Sequence, residues 1–330
     1  MGADALHGAK VRGMKTAIAF IAVMVGVALP ALAQTDLAGH WVVRQHEDWQ
    51  ERGPGPEIVD YTGLPINDDA RARALTYSPS ALSLPERQCL YYAPHYNAIG
   101  PFGLEIWADT DPDTGRVVAW NIGAFIDKAI NTIWMDDRPH PGPNGLHTFA
   151  GFTTGHWEGN TLVAYMTHYK EGYLRRNGVP TSDQSTMTMY FTRHGDMLTM
   201  LEVIEDPVYL TEPFLVSRNW VLDPNANMTR VPAPCVPEAE VADLKGQGTV
   251  PHNLPGKNPF VNEMTRMYNL PLDVVMGGAD QMYPEFRKRL ESYEPPKSCG
   301  RYCCGWGGAP GRTAPNLQCV TGGSGQINER

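Results

Sequence analysis

The sequence predicts a mainly β protein: an antiparallel, calycin-like β-barrel followed by short C-terminal helices and a disulfide-rich tail. Three observations lead there. Gly 33 and Pro 28 among 330 residues mean many turns and few long helices. From Gly103 onward, short apolar runs recur at regular spacing, each closed by a turn signal. Two of these runs alternate in period two, and neither of their faces is wholly solvent-like. A closed barrel leaves no exposed sheet edge.

The elements follow in order. Asp36–Trp41 reads as a short opening strand and Asp68–Leu75 as a short helix in a proline-punctuated stretch. Leu104–Ala108 is a strand ended by the Asp111-Pro-Asp-Thr-Gly115 turn. Arg116–Ile122 and Thr132–Met135 come next. Asn160–His168 is the clearest strand, opening at the hairpin signal Glu158-Gly159-Asn160. Its alternation places Leu162, Ala164, Met166 and His168 on one face and Val163, Tyr165 and Thr167 on the other. Gln184–Arg193 and Met197–Ile204 form a hairpin around His194-Gly195-Asp196, and Phe214–Leu222 is the last strand. Thr186, Thr188, Tyr190 and Thr192 oppose Met187, Met189 and Phe191. Such a mixed barrel interior suits a ligand cavity. Helical segments are expected at Glu238–Leu244, Asn258–Asn269 and Pro284–Tyr293. The domains are then 1–33 signal peptide, 34–235 barrel, 236–298 helical arm packed on the barrel, and 299–330 Cys/Gly-rich tail.

The N-terminus gives the address. Lys15 precedes an apolar run from Ala17 to Leu29, Pro30 breaks it, and Ala31-Leu32-Ala33 supplies a small-x-small cleavage site. This is the layout of a secretory signal peptide, so a periplasmic or secreted protein beginning near Gln34 is expected; an uncleaved anchor is the alternative. Residues 1–13 are an extension of that signal or lie upstream of the true start. No stable membrane insertion is expected. The six cysteines, Cys89, Cys235, Cys299, Cys303, Cys304 and Cys319, then read as disulfides rather than a zinc knot, because the tail holds no histidine and no CxxC pair. Cys89 and Cys235 are one candidate pair. The net charge of −9 without a basic block excludes a nucleic-acid partner.

The central stretch carries linked motifs. They run from Ile133-Trp-Met-Asp-Asp-Arg138-Pro-His140-Pro141 through Gly155-His-Trp-Glu-Gly-Asn-Thr-Leu-Val163 to Thr167-His-Tyr-Lys-Glu-Gly-Tyr-Leu-Arg-Arg-Asn-Gly-Val-Pro180. Phe191-Thr-Arg-His-Gly-Asp196 and Glu205-Asp-Pro-Val-Tyr-Leu210 follow. Over about residues 85–290 this resembles a large family of exported, mostly uncharacterised bacterial proteins built around Trp-Glu-Gly-Asp-Thr-Leu-Val. Here Asn160 stands in a turn where the family has Asp. The Cys-rich tail is not part of that resemblance. The resemblance implies export and a barrel-like β fold. Proteins that look like this one are linked to decarboxylation of lignin-derived phenylpropanoid dimers without a cofactor.

The candidate chemistry lies in a cluster of histidine, arginine and tyrosine. His147, His168, Tyr169, Tyr173, Arg175 and Arg176 are the candidate catalytic residues; Arg138, His140, Tyr165 and Tyr190 are candidates for substrate binding. His156 and His194 sit at turns and read as structural. Tyr169–Asn177 is expected to cap a cavity mouth. A phenolic acid loses CO2 when a base takes the phenol proton and an acid protonates the ring-conjugated carbon, so no cofactor or metal is needed. Such a site needs arginine or tyrosine to orient the carboxylate. The expected partner is an aromatic small molecule, and self-association into a homo-oligomer is left open. Two alternatives remain: a non-catalytic carrier of a hydrophobic ligand, and a metal-dependent hydrolase using His140, His147, His168 and Glu171. Glu205-Asp206 lie adjacent on a strand, point to opposite faces and cannot act as a glycosidase pair; a strand-end turn is the expected role. Nucleophile-elbow, phosphate-loop and dinucleotide signatures are absent from the sequence.

Overall fold

A computed structural model describes residues 35–44, 58–78, 84, 88–90, 92–97, 103–124, 130–226, 237 and 253–294. The expected signal peptide, the Glu238–Leu244 helix, Cys235 and the Cys/Gly-rich tail lie outside the described residues.

The chain forms a closed barrel. In chain order its strands are β1 (Gly39–Val43), β2 (Leu104–Thr110), β3 (Val117–Ala124), β4 (Ile130–Trp134), β5 (Phe152–Glu158) and β6 (Thr161–Thr167). A small hairpin of β7 (Gly172–Tyr173) and β8 (Pro180–Thr181) stands apart. Then β9 (Thr186–His194), β10 (Met197–Glu205) and β11 (Phe214–Leu222) complete the wall. The order around it is β1-β11-β10-β9-β6-β5-β4-β3-β2.

Nine strands constrain the topology. A ring of strands alternating up and down closes only with an even number. An odd ring forces one neighbouring pair to run the same way. That pair is β4 and β5, parallel through Ile133–Thr153 and Trp134–Thr154. The expected all-antiparallel barrel is corrected at this one seam. A parallel pair needs a long connection, and residues 135–151 supply it as a strap from one end of the barrel to the other. The sequence reading missed β5 because its inward side chains, Thr153, Gly155 and Trp157, make no apolar run.

The two ends differ. At one end the hairpins close tightly. Asp111 accepts the N–H groups of Asp113 (2.9 Å) and Thr114 (2.8 Å), while Gly115, Gly159 and Gly195 take positive φ in their turns. The other end is capped by longer segments. Helix α1 (Asp68–Ala74) is capped by Asn67, whose side chain accepts the Ala70 N–H at 2.9 Å. The turn of helix α2 (Pro94–Asn97), the β7–β8 hairpin and the 206–213 connection lie at this end. The helices α3 (Val261–Tyr268), α4 (Leu272–Val275) and α5 (Pro284–Lys288) are short, as expected. Their segment bonds to the cap: Tyr61 N–H donates to Val275 O (3.0 Å), Asn253 N–H to Thr76 O (2.9 Å) and Arg71 Nε to Met276 O (3.0 Å). Among the described residues no helix is long and apolar enough to cross a membrane.

The interior is layered. Trp41, Leu162, Phe191, Leu198, Met200 and Trp220 fill the tight-turn half and are fully buried. Alternation assigns the walls correctly along β6 and β9: Leu162, Ala164, Met166, Met187, Met189 and Phe191 point inward, and Tyr165 (41% exposed) points out. One expectation fails. Strand β6 ends at Thr167, and His168 takes φ +57°. That left-handed residue breaks the alternation, so His168 joins the outer wall rather than the Leu162 face.

Gly155 faces inward at the parallel seam. A Cβ there would lie 2.6 Å from Ile133 Cγ2 and 3.2 Å from Leu162 Cδ1. Overpacking of this kind costs about 1–3 kcal/mol. Gly155→Ala is therefore expected to lower the unfolding free energy by about that amount, read by urea denaturation; an unchanged midpoint would mean the seam is looser than described.

Candidate functional site

The polar residues under the cap form the candidate site. On β10 the inward phase runs Leu198, Met200, Glu202, Ile204; on β11 it runs Phe214, Val216, Arg218, Trp220. Two charges therefore enter an apolar lumen. Arg218 donates to Glu202 at 2.7 Å with both side chains buried. Removing one partner of such a pair costs about 3–5 kcal/mol, because the other charge stays buried. Neither residue stood out in the sequence, although a charge in the apolar phase of a strand was the available signal.

Next to the pair lie Asp206, His95 and Tyr169. Asp206 is a structural lock. It accepts the Ser182 hydroxyl and N–H (2.7 Å each), the Val208 N–H (2.9 Å) and the Tyr209 N–H (3.2 Å), tying the β8 segment to the end of β10. This is a strand-end turn role. His95, on α2, sits within 2.7 Å of the Tyr173 carbonyl through Nε2. A carbonyl only accepts, so Nε2 carries the proton and Nδ1 presents a lone pair. Burial, reinforced by Arg218 and partly offset by the Tyr173 carbonyl and Asp206, depresses the His95 pKa to about 4. His95 is thus neutral near neutral pH. Burial pushes the Tyr169 phenol well above its ordinary range, helped by Asp206 and Glu202, so its hydroxyl stays protonated. The rings of His95 and Tyr169 are 6.4 Å apart.

This cluster leaves polar atoms unmatched. His95 Nδ1, Tyr169 Oη and Arg218 Nε are buried without a hydrogen-bond partner. The Ser185 and Thr181 hydroxyls are near enough to act on the Tyr169 phenol, yet neither bonds it in acceptable geometry. Two donors and one acceptor of this cluster thus lack a protein partner.

The other expected site residues fall elsewhere. Arg175 stacks its guanidinium over Phe214 at 5.4 Å, beside the capped end. Tyr173 packs edge-on against Tyr77 at 5.4 Å and offers its carbonyl to His95. Arg176 is exposed. Tyr165 and Tyr190 are on the outer wall, Arg138 lies over Trp134 at 3.6 Å while bonded to Asp136, and His140, His147 and His168 gather on the strap side. Of the residues singled out in the sequence, Tyr169 alone enters the buried cluster.

The metal option does not assemble. Glu171 pairs with Arg73 at 3.3 Å. His140 spends both ring nitrogens on Thr167 and Thr154, and His168 spends both on Thr167 and Gly142 O. Among the described residues no group of three or more histidine, cysteine or acidic side chains is placed to hold an ion. Cys89 is disulfide-bonded, and the other cysteines lie outside the described residues. Comparison with protein-family models, with curated proteins and with solved structures finds no match to this chain.

The depressed His95 pKa has a sign in stability. The unfolded histidine takes up its proton near pH 6.5, the folded one near 4. Stability from this group is complete above pH 6.5 and is lost as pH falls toward 4. Linkage puts the loss at about 2 kcal/mol by pH 5. Between pH 7.5 and 5 the wild type is expected to lose about 2 kcal/mol more than His95→Gln, measured by urea unfolding; equal losses would mean His95 is not buried neutral.

Proposed function

We propose that the protein is a cofactor-independent lyase that decarboxylates a hydroxylated aromatic carboxylic acid under the barrel cap. The observation that carries this reading is a set of three buried polar atoms without a protein partner under one cap: the His95 Nδ1 lone pair, the Tyr169 hydroxyl and the Arg218 Nε–H. A ligand that satisfies them offers one hydroxyl donor and a group that accepts twice, which is the pattern of a phenolic acid. The resemblance over about residues 85–290 to a family of exported proteins, and the separate likeness to cofactor-independent decarboxylases of lignin-derived dimers, support the same reading.

The chemistry balances without a redox partner. In a substrate whose side-chain double bond is conjugated with the ring, the phenol proton moves to His95 Nδ1 in concert with protonation of the side-chain carbon. A histidine held at a pKa of about 4 is too weak a base to take it alone. Ring electrons make the side-chain carbon basic, and the Tyr169 hydroxyl protonates it, giving a quinone methide. The bond to the carboxylate breaks, CO2 leaves, and its electron pair returns to the ring oxygen. His95 gives its proton back to that oxygen, and water restores the Tyr169 proton. Net, one proton replaces CO2. Arg218 orients the carboxylate through Nε–H alone, because Glu202 already balances its charge. The substrate carboxylate is therefore aligned without being over-stabilised, and over-stabilisation would slow CO2 loss.

Export to an oxidising compartment belongs to the same proposal. The signal-like Lys15–Ala33 segment and the disulfide at Cys89 support it.

The test incubates chelator-treated mature protein with a panel of phenolic acids, lignin-dimer acids among them, and follows product mass. A product lighter by CO2 is expected, with Tyr169→Phe slower by about 10²-fold at unchanged fold. Folded protein that turns over none of the acids would overturn the lyase; a ligand recovered bound but unchanged would make the protein a carrier.

A further inference from the structure

The outer histidines form a directional hydrogen-bond chain. His168 Nε2 lies 2.9 Å from the Gly142 carbonyl. The carbonyl can only accept, so Nε2 holds the proton and Nδ1 is an acceptor in the neutral ring. Nδ1 then takes the Thr167 hydroxyl proton at 2.7 Å. The Thr167 oxygen in turn accepts from His140 Nδ1–H at 2.7 Å. His140 Nε2 is left to accept from the Thr154 hydroxyl at 2.9 Å. One carbonyl thus fixes every proton from Thr154 to Gly142, and every link but Thr167–His168 joins the strap to the barrel wall.

The strap also grips the main chain on both sides of Tyr169. Thr148 N–H donates to His168 O, and Lys170 N–H donates to Thr148 O, both at 3.0 Å. His147 Nδ1 lies 3.1 Å from the Tyr169 carbonyl and donates to it. The φ of +57° at His168 turns His168 outward and Tyr169 inward at consecutive positions. Non-glycine residues hold that conformation only when their surroundings impose it. The bonds from residues 147–148 are what impose it here.

We propose that residues 140–148 act as a proton-sensitive clasp, in which Thr167 and the His140–His168 pair position Tyr169 inside the buried cluster and protonation of the pair releases it. A proton on His168 Nδ1 makes both rings donate to the Thr167 oxygen and leaves the Thr167 hydroxyl hydrogen without its acceptor. A proton on His140 Nε2 makes Thr154 the acceptor, and with both rings charged two cations sit across the single Thr167 oxygen. Among the described residues no carboxylate is bonded to either ring. The groups facing the pair are His147, with its ring 5.1 Å from His168; Tyr165, 5.2 Å from His140; and Lys170, held over Phe149 at 4.6 Å. Asp136 is bonded to Arg138, and farther along β5 His156 is paired with Glu158 at 3.1 Å. Burial and the neighbouring His168 hold His140 below the ordinary histidine range, so the clasp is closed at neutral pH and opens on acidification. The meaning of Tyr169 rests on the lyase reading above; the clasp itself does not.

The test is amide hydrogen exchange on the mature chain at pH 7.5 and 5.5, corrected for intrinsic rates, with β9–β10 peptides as the internal reference. At pH 5.5 the peptides holding Thr148 and Lys170 are expected to lose protection by about tenfold or more while the reference holds. Thr167→Val, which cannot bridge the two rings, should exchange fast at both pH values; Thr167→Ser, which keeps the hydroxyl, should behave as wild type. Protection that ignores pH, or a Thr167→Val variant that matches wild type, would overturn the clasp. Since exchange is read without substrate, a protein that lacks lyase activity but shows the pH response removes the first proposal and leaves this one standing.

Discussion

The odd number of strands is the constraint on which the rest depends. Nine strands cannot alternate around a closed ring, so β4 and β5 run parallel. The chain must then travel the length of the barrel outside its wall. The strap laid down in this way carries His140, Gly142, His147 and Thr148 to the end of β6. There it holds the turn at His168 that sends Tyr169 inward. A topological requirement at one seam thereby sets the position of a side chain under the cap.

The energetics under the cap are unlike those of the barrel below. The tight-turn half is apolar and close-packed, as a stable core requires. The capped half carries a buried ion pair, a neutral histidine and a tyrosine, and His95 Nδ1, Tyr169 Oη and Arg218 Nε are among its buried atoms without a protein partner. A barrel selected for stability alone would gain from filling this space with apolar side chains, since replacing buried ion pairs by such residues is often neutral or stabilising. These unused hydrogen-bonding groups are the ones that the proposed ligand would complete.

The barrel was legible because its signals are local. The Asp111–Gly115 and His194–Asp196 turns and the period-two alternation of β6, β9 and β10 lie within single windows of sequence. β5 was not, because its inward positions, Thr153, Gly155 and Trp157, make no apolar run. His168 was placed on the wrong face because one positive φ after Thr167 reverses the alternation, and no glycine announces it. Glu202 and Arg218 were legible in principle, as charges in the apolar phase of their strands. His95 was not, since Pro94–Asn97 is a single turn of helix whose place under the cap is set by contacts with Tyr173, far away in sequence. Arg138, Tyr165 and Tyr190 were grouped by proximity in the chain, but strand alternation faces the tyrosines outward and Trp134 holds the arginine.

The most direct test of the buried cluster as a ligand site is the imidazole 15N spectrum of the mature protein, titrated with a hydroxylated aromatic acid. The free protein should show a pyridine-like, unbonded Nδ1 signal that His95→Gln removes. On adding the acid that nitrogen should shift to a hydrogen-bonded value, while His140, His147 and His168 stay unchanged. A response confined to the strap histidines, or an Nδ1 of His95 already bonded in the free protein, would contradict the account.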